Sequence, residues 1–133
     1  PPGIAAFGYA PFSQALPRAG AFVCHGGVGS IAQGLRAGCP TLAVAHAHDQ
    51  FNNGLRLAAS GAGLTFHRSQ LTLERLCAAL RRLAGEPAFK QSAMRYASAI
   101  AQEDGAERAA DEVERIGLRD APAAPATQAV HTG

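Results

Sequence analysis

The sequence predicts an α/β domain in which a parallel sheet is flanked by helices. Short apolar runs alternate with segments of helical periodicity, in the order strand, helix, strand, helix, strand. Glycine and proline residues separate these segments, as expected at the ends of buried elements. Parallel strands need such crossovers, and a sheet of this class binds ligands at the carboxyl ends of its strands.

The elements follow in order along the chain. Strands are predicted where short apolar runs are bounded by glycine or polar residues, over residues 3–9 (the weakest), 21–24, 41–45 and 64–66. A turn or short helix is predicted over residues 11–16. Helices are predicted where apolar residues recur every three or four positions, over residues 30–37, 51–60, 73–84, 87–102 and 106–116.

Capping residues support several of these boundaries. Gly38 stands where a left-handed C-terminal cap belongs, and Pro40 cannot continue the helix. Thr72 can cap the helix that follows it, because its hydroxyl can accept from the first turn. Residues 118–133 are rich in Ala and Pro and offer little to bury, so we expect one domain over residues 1–117 and a disordered tail over residues 118–133.

Composition argues against several classes of protein. The net charge of +2 gives no strong field towards nucleic acid or anionic membrane. No apolar run approaches the roughly 20 residues that span a bilayer, and the first residues do not resemble a signal peptide. The 3 cysteines form no CxxC pair, which favours a reduced, cytoplasmic compartment. Abundant Ala and Arg indicate a GC-rich, bacterial genome.

The loop over residues 25–30, His-Gly-Gly-Val-Gly-Ser, leads from a strand into a helix. Its glycines allow close approach of the backbone to a ligand, and the helix N-terminus supplies free N–H groups and positive potential. His25 and Ser30 add two hydrogen-bonding side chains, so the loop suits a phosphate or diphosphate. The alternative is a tight turn whose glycines serve packing alone.

The same segment also fits a dinucleotide-binding pattern. Residues 27–32 match G-x-G-x-x-A, and Asp49 follows at the distance of the acidic residue that binds a ribose. However, Asp49 falls inside a predicted loop rather than at a strand tip, and the pattern does not call for His25.

The second polar loop covers residues 46–50, after the next predicted strand. Adjacent Asp and Gln side chains can accept from and donate to neighbouring hydroxyls of a sugar. Alternatively, Asp49 caps the following helix while Asn52 and Asn53 are solvated. The two histidines of this loop complete no known ligand spacing, so no metal is expected.

Together these residues resemble a known family. The segments 22–30 and 38–40, followed by Asp49, Gln50 and Asn53, are similar to the donor-binding part of nucleotide-sugar glycosyltransferases. That group includes macrolide, glycopeptide and flavonoid glycosyltransferases, sterol glucosyltransferases and UDP-glucuronosyltransferases. The resemblance covers about residues 8–116 and implies a partial Rossmann-like parallel sheet, the second half of the C-terminal domain of a two-domain enzyme.

The resemblance implies a role for each matching residue. Diphosphate binding is assigned to His25, Gly27, Val28, Gly29, Ser30 and Ser13, nucleoside binding to Tyr9 and Gln33, and sugar binding to Asp49 and Gln50. The donor would be a UDP- or TDP-sugar, with no metal and no further cofactor. This sequence departs from the family at Phe12, where plant members carry Gln, and at Ala45, where Pro is common; His46 and His48 are not general features.

The resemblance also limits what this chain is expected to do. The family's catalytic base is a His of an N-terminal domain, so no catalytic residue is expected here, and a small-molecule or lipid acceptor would bind through that domain. The predicted function is donor binding for an inverting transfer of a hexose to an acceptor hydroxyl. Two alternatives remain: an NAD(P)-binding domain of an oxidoreductase, and an inactive truncated module that pairs through its exposed sheet edge.

Overall fold

The computed structural model describes the backbone of residues 2–120 and the side chains of residues 2–117. Three strands and six helices occur in that range: α1 (Phe12–Ala15), β1 (Phe22–Cys24), α2 (Val28–Arg36), β2 (Thr41–Ala45), α3 (Gln50–Ala59), β3 (Gly63–His67), α4 (Leu73–Gly85), α5 (Pro87–Ala101) and α6 (Gly105–Asp120). Short 3-10 turns follow α1 and β3, at Leu16–Arg18 and Arg68–Gln70.

The three strands form one parallel sheet in the order β1-β2-β3. Thr41 of β2 stands in register with Phe22 of β1 and with Gly63 of β3. The predicted α/β class and parallel sheet are therefore confirmed. Each strand is followed by a polar loop at the same edge of the sheet, because the three strands run in the same direction.

The predicted strand over residues 3–9 is wrong. These residues are irregular, and Ile4, Phe7 and Tyr9 are 72%, 76% and 84% exposed. A short apolar run forms a stable strand only when a neighbouring strand supplies hydrogen bonds and a face to cover. The prediction of a turn or short helix immediately afterwards is confirmed by α1.

Strand β2 is buried along its whole length and divides the core into two layers. Ala43 packs on one face with Ile31, Leu57, Ala62 and Ala93. Leu42 and Val44 pack on the other face with Ala79, Leu83 and Phe89. Successive side chains of a strand point to opposite faces, so β2 anchors helices on both sides. It provides a rigid base for the loops at its carboxyl end.

Helices α2 and α3 lie close against the sheet. A Cβ atom on Gly34 of α2 would overlap the hydroxyl of Thr41, and one on Gly54 of α3 would overlap that of Thr65. This close approach brings the N-termini of both helices to the carboxyl edge of the sheet. The two polar loops predicted from the sequence therefore share one edge.

The caps largely follow the sequence predictions. Gly38 adopts a left-handed φ of 61°, and the ammonium of Lys90 donates to its carbonyl at 2.8 Å. The Thr72 hydroxyl accepts from the N–H of Arg75 at 3.3 Å, which confirms it as the cap of α4. Helix α2 begins at Val28, two residues earlier than predicted.

The C-terminal part of the chain forms a second unit. Residues 2–102 belong to one compact unit, and α6 belongs to the other. Helix α6 continues to Asp120, past the boundary at residue 117 that the sequence suggested. The rest of the expected tail, residues 121–133, lies outside the described residues. Among the described helices, none combines the length and the apolar character needed to cross a membrane.

Candidate functional site

The N-terminus of α2 offers unpaired backbone donors. Gly27 occupies the N-cap position, makes no side-chain cap, and accepts from the N–H of Ile31 at 3.1 Å. The N–H groups of Val28, Gly29 and Ser30 precede the first intrahelical bond and therefore have no acceptor within the helix. Val28 and Gly29 are exposed and Ser30 is half-buried. The helix dipole makes this accessible end attractive to an anion.

The His25 side chain lies beside these donors. It is exposed, and its Nε2 is 2.6 Å from where a Cβ atom on Gly27 would be. Gly27 therefore gives the imidazole room to lie over the start of α2. The ring adds a side-chain donor to the backbone N–H groups at the start of α2.

Gly26 makes the turn between β1 and α2. It is buried and adopts a φ of 87°, a region that L-residues with a side chain rarely occupy. A Cβ atom there would lie 3.2 Å from the carbonyl oxygen of Gln50 and 3.4 Å from its Cβ. The loop after β1 thus packs directly against the start of α3, and the two polar loops are in contact.

The loop after β2 is held by its own glutamine. Gln50 is the first residue of α3, rather than the end of a loop as predicted. Its Oε1 accepts from the N–H of His46 at 2.9 Å and from that of Ala47 at 3.2 Å. His48, between them and Asp49, adopts a left-handed φ of 55°. The Gln50 oxygen holds the loop, and its amide N–H groups remain available to a ligand.

Asp49 stands at the N-cap position of α3 but does not cap the helix. Its Oδ2 accepts from the side-chain amide of Asn53 at 2.8 Å. The same amide nitrogen donates to the carbonyl of Gly26 at 3.2 Å, which lies 27 residues earlier in the chain. The alternative in which Asp49 caps the helix while Asn52 and Asn53 are solvated is therefore wrong for Asp49, which makes no cap bond, and for Asn53, which is half-buried between the two loops. Asn52 is exposed, as that alternative predicts.

The sequence assigned no role to Asn53, which the structure places between the two polar loops. The sequence signal was its position four residues after Asp49, which places two side chains on the same face of a helix. Its second partner, Gly26, could not be found from spacing, since that contact depends on how α3 packs against the turn after β1.

The residues predicted to bind a nucleoside share one groove. Tyr9 and Gln33 line a depression of about 490 Å³ together with Phe12 and its neighbours. Ser13, which the sequence assigns to diphosphate binding, lines the same depression. Phe12 packs edge-on against Phe22 of β1, with ring centroids 5.3 Å apart, and so attaches this segment to the sheet. Gln33 lies one helical turn after Ser30, so α2 joins the groove to the free N–H groups.

Neither thiol near the sheet acts as an ionised nucleophile at neutral pH. Burial raises the pKa of Cys24, and the nearby Gly26 backbone only partly offsets the effect. Burial likewise raises the pKa of Cys39, with a smaller opposing effect from Lys90.

Within residues 2–117, no three His, Cys, Asp or Glu side chains are grouped so that they could hold a metal ion. The arrangement therefore offers hydrogen-bond donors to an anion and one exposed carboxylate, that of Asp49, to hydroxyl groups.

The dinucleotide-binding alternative conflicts with the position of its acidic residue. That pattern needs the acid at the tip of the second strand, within reach of a ribose. Asp49 lies four residues beyond the end of β2 and is bound to Asn53 at the start of α3. The glycine spacing is present, but the second half of the pattern is not.

Comparison with known proteins identifies one family over most of the chain. Residues 1–116 match the family described as erythromycin biosynthesis protein CIII-like, C-terminal domain. A sterol 3-beta-glucosyltransferase of Arabidopsis thaliana is 37% identical over 106 residues, 79% of this chain and 17% of the relative. The oleandomycin glycosyltransferase of Streptomyces antibioticus is 31% identical over 114 residues, 86% of this chain and 26% of the relative.

Solved structures agree with this assignment. The glycosyltransferase VinC, solved in complex with DTDP, superposes with a TM-score of 0.84 at 32% identity, covering 90% of this chain and 30% of VinC. The chain thus spans about a sixth to a third of the length of the relatives that it matches.

Proposed function

We propose that this chain, which belongs to the family of erythromycin biosynthesis protein CIII-like C-terminal domains of glycosyltransferases, holds the nucleotide-sugar donor during transfer of a hexose. The observation that carries the proposal is the meeting of two loops at one sheet edge. One loop presents free N–H groups and His25, and the other presents the Asp49 carboxylate. Diphosphate and sugar are the two groups that such a pair of loops would bind side by side.

The diphosphate would bind at the start of α2. The N–H groups of Gly27, Val28 and Gly29, the hydroxyl of Ser30 and the ring of His25 would donate to its oxygens. Ser13 would approach the same group from the nucleoside groove. These donors stabilise charge that increases when the diphosphate departs, which is electrostatic catalysis of leaving-group loss. The proposal needs no metal ion, since the helix terminus and His25 supply the positive potential.

The sugar would bind at the loop after β2. The Asn53 amide donates to one oxygen of the Asp49 carboxylate, and the other oxygen can accept a hydrogen bond from a sugar hydroxyl. The N–H groups of the Gln50 amide can donate to a neighbouring hydroxyl while its oxygen holds the loop. A bound hexose would therefore lie beside the diphosphate, across the contact between Gly26 and Gln50.

The nucleoside would occupy the groove lined by Tyr9, Phe12 and Gln33. The Tyr9 ring is free to stack on a base, and the Gln33 amide can hydrogen-bond a ribose hydroxyl. Either UDP or TDP fits this description, because stacking on an aromatic face does not select a base. The glycosyltransferase VinC, which this chain resembles over 90% of its own length, was solved in complex with DTDP, and this supports a nucleoside diphosphate as the ligand.

The reaction that we propose is a single displacement with inversion. An acceptor hydroxyl oxygen forms a bond to the anomeric carbon while the bond from that carbon to the diphosphate oxygen breaks. The bonding electrons leave with the nucleoside diphosphate, and the hydroxyl proton passes to a base outside this chain. The acceptor would be a small molecule or a lipid, in line with the relatives named for a sterol and for oleandomycin.

A ligand-induced shift in melting temperature tests the donor site. The purified chain is melted with UDP, TDP, NAD or buffer alone, because a ligand of the folded state raises stability by RT ln(1 + [L]/Kd). We expect a shift with UDP or TDP and none with NAD. A shift with NAD alone would replace the donor proposal with the oxidoreductase alternative, and no shift with any ligand would contradict a donor site in this chain.

His25→Ala tests the assignment of the diphosphate site. Loss of one hydrogen bond to a charged group costs about 1.5–3 kcal/mol, so the affinity for UDP or TDP should fall about tenfold or more. The fold should be unchanged, because His25 is exposed. Calorimetry measures the affinity, and His67→Ala, another exposed histidine, is the matched control. Equal affinities in the two variants would sink the assignment.

A further inference from the structure

One side chain joins the two loops of the proposed donor site. Asn53 lies in the first turns of α3, half-buried, with its amide nitrogen 3.2 Å from the carbonyl oxygen of Gly26 and 2.8 Å from Oδ2 of Asp49. Gly26 belongs to the loop whose N–H groups would donate to the diphosphate. Asp49 belongs to the loop whose carboxylate would accept a hydrogen bond from the donor sugar. The two partners come from loops that follow different strands of the sheet.

The orientation of the Asn53 amide follows from its partners. Both are oxygen acceptors, and an amide NH₂ group has two hydrogens, one for each. The reverse orientation would place the amide oxygen against a carbonyl and a carboxylate, with no donor among the three groups. Only one orientation of Asn53 therefore satisfies the contact, and in it the amide binds both loops at once.

The bond to Gly26 has a consequence for the diphosphate site. The peptide unit between Gly26 and Gly27 is planar and trans, so its N–H points opposite to its carbonyl. When Asn53 holds the carbonyl towards α3, the N–H of Gly27 is directed away from α3. The bond to Asp49 likewise fixes one carboxylate oxygen and leaves the other for a ligand.

We propose that Asn53 is a positioning residue that couples the diphosphate loop to the sugar loop, so that a change in one loop alters binding at the other. The inference rests on the proposed donor site, and it concerns a residue that would touch neither the diphosphate nor the sugar. Asp49 then influences diphosphate binding through Asn53, although its carboxylate does not reach that group.

A double-mutant cycle on UDP or TDP binding tests this coupling. Asn53→Ala frees the Gly26 carbonyl and should weaken binding about tenfold. Asp49→Ala removes the carboxylate that holds the amide and should weaken binding of the nucleoside diphosphate, which lacks the sugar, about threefold. In the Asn53→Ala background, Asp49→Ala should have no further effect. A residue that only supports the fold would give independent effects, which multiply in the double variant.

Two further variants complete the design. Asn52→Ala is the matched control, because the adjacent Asn52 is exposed; its affinity should stay within twofold of wild type. Asn53→Asp keeps the size of the side chain but removes both donors and adds a carboxylate beside Asp49, so it should bind more weakly than Asn53→Ala. Hydrogen exchange should increase at the backbone of residues 26–30 in both Asn53 variants and not in Asn52→Ala.

The outcomes separate the two proposals. If the wild-type chain binds neither UDP nor TDP, the donor site itself is overturned, and the coupling with it. If wild type binds and Asn53→Ala binds as tightly as Asn52→Ala, only the coupling is overturned. Multiplicative effects in the cycle, with a lowered melting temperature in Asn53→Ala, would assign Asn53 a purely structural role and would also overturn it.

Discussion

The loop pair, residues 25–30 and 46–53, differs in construction from the nucleoside groove, residues 8–13 with Gln33. The loop pair follows two strands of the sheet, and its turn residue, Gly26, is buried against α3. The nucleoside groove is lined mainly by an irregular segment and the four-residue helix α1, and its Tyr9 is 84% exposed. The loop pair presents the backbone N–H groups at the start of α2 together with side chains such as His25 and Asp49, whereas the nucleoside groove presents mainly side chains.

This difference indicates how each region tolerates change. Backbone N–H groups point where the fold directs them, so a substitution that disturbs the turn changes every donor together. Exposed side chains on a loosely attached segment can be exchanged one at a time with little effect on folding. We therefore expect a change at the turn to affect all the backbone donors of the diphosphate site together, and a change in the groove to alter one nucleoside contact at a time.

The largest effect on stability and ligand affinity is expected from a substitution at Gly26, the turn of the loop pair. Gly26→Val places a β-branched residue at a φ of 87° and a Cβ atom 3.2 Å from the Gln50 carbonyl. The unfavourable backbone alone costs about 1–2 kcal/mol, and the contact adds to it, so stability in urea and the affinity for UDP or TDP should both fall.

Gly29→Ala is the control for this prediction. A Cβ atom on Gly29 would meet nothing within 4 Å, and Gly29 lies in the first turn of α2. Replacing a helical glycine by alanine stabilises by up to about 1 kcal/mol, so this variant should be at least as stable as wild type. If Gly26→Val unfolds at the same urea concentration as Gly29→Ala, the account of the turn is wrong.

A smaller effect is expected from Tyr9→Ala, which tests whether the nucleoside groove and the loop pair bind their ligands independently. Loss of a base-stacking ring costs about 1–3 kcal/mol, so the affinity for UDP or TDP should fall about tenfold. Inorganic diphosphate should bind as in wild type, because the loop pair is untouched. Stability should change by less than about 0.5 kcal/mol, since Tyr9 is 84% exposed.

Tyr9→Phe keeps the aromatic face and should retain most of the affinity. Calorimetry with the nucleotide and with inorganic diphosphate distinguishes the outcomes. An equal loss of affinity for both ligands in Tyr9→Ala would show that the nucleoside groove and the loop pair do not act separately.

The smallest effect is expected where the groove is attached to the sheet. Phe12→Ala removes the edge-on contact with Phe22, whose ring lies 5.3 Å away, and such a pair contributes about 0.5–1.5 kcal/mol beyond the area that it buries. We expect a melting temperature a few degrees lower and a two- to fivefold loss of nucleotide affinity. Phe7→Ala, on the same segment and 76% exposed, should change neither quantity; a matching loss in that variant would contradict the attachment.

Several features of the fold could be predicted from local sequence because local chemistry decides them. The run Thr41–Ala45 is apolar after its first residue and forms a strand buried on both faces. Gly38 and Thr72 stand at helix ends where a left-handed residue and a hydroxyl acceptor are needed. The strand over residues 3–9 could not be judged in the same way, because its pattern needs a neighbouring strand that these residues do not have.

By itself, the sequence determined which residues stand at the carboxyl edge of the sheet, since the order of strands and loops is written along the chain and parallel strands end together. Only the tertiary structure decided how these residues are linked. The Gln50 oxygen accepts from its own loop, and the Asn53 amide donates both to Asp49 and to Gly26, which lies 27 residues before Asn53. Such bonds depend on distances of about 3 Å between elements, which packing of α2 and α3 against the sheet sets and spacing along the chain does not.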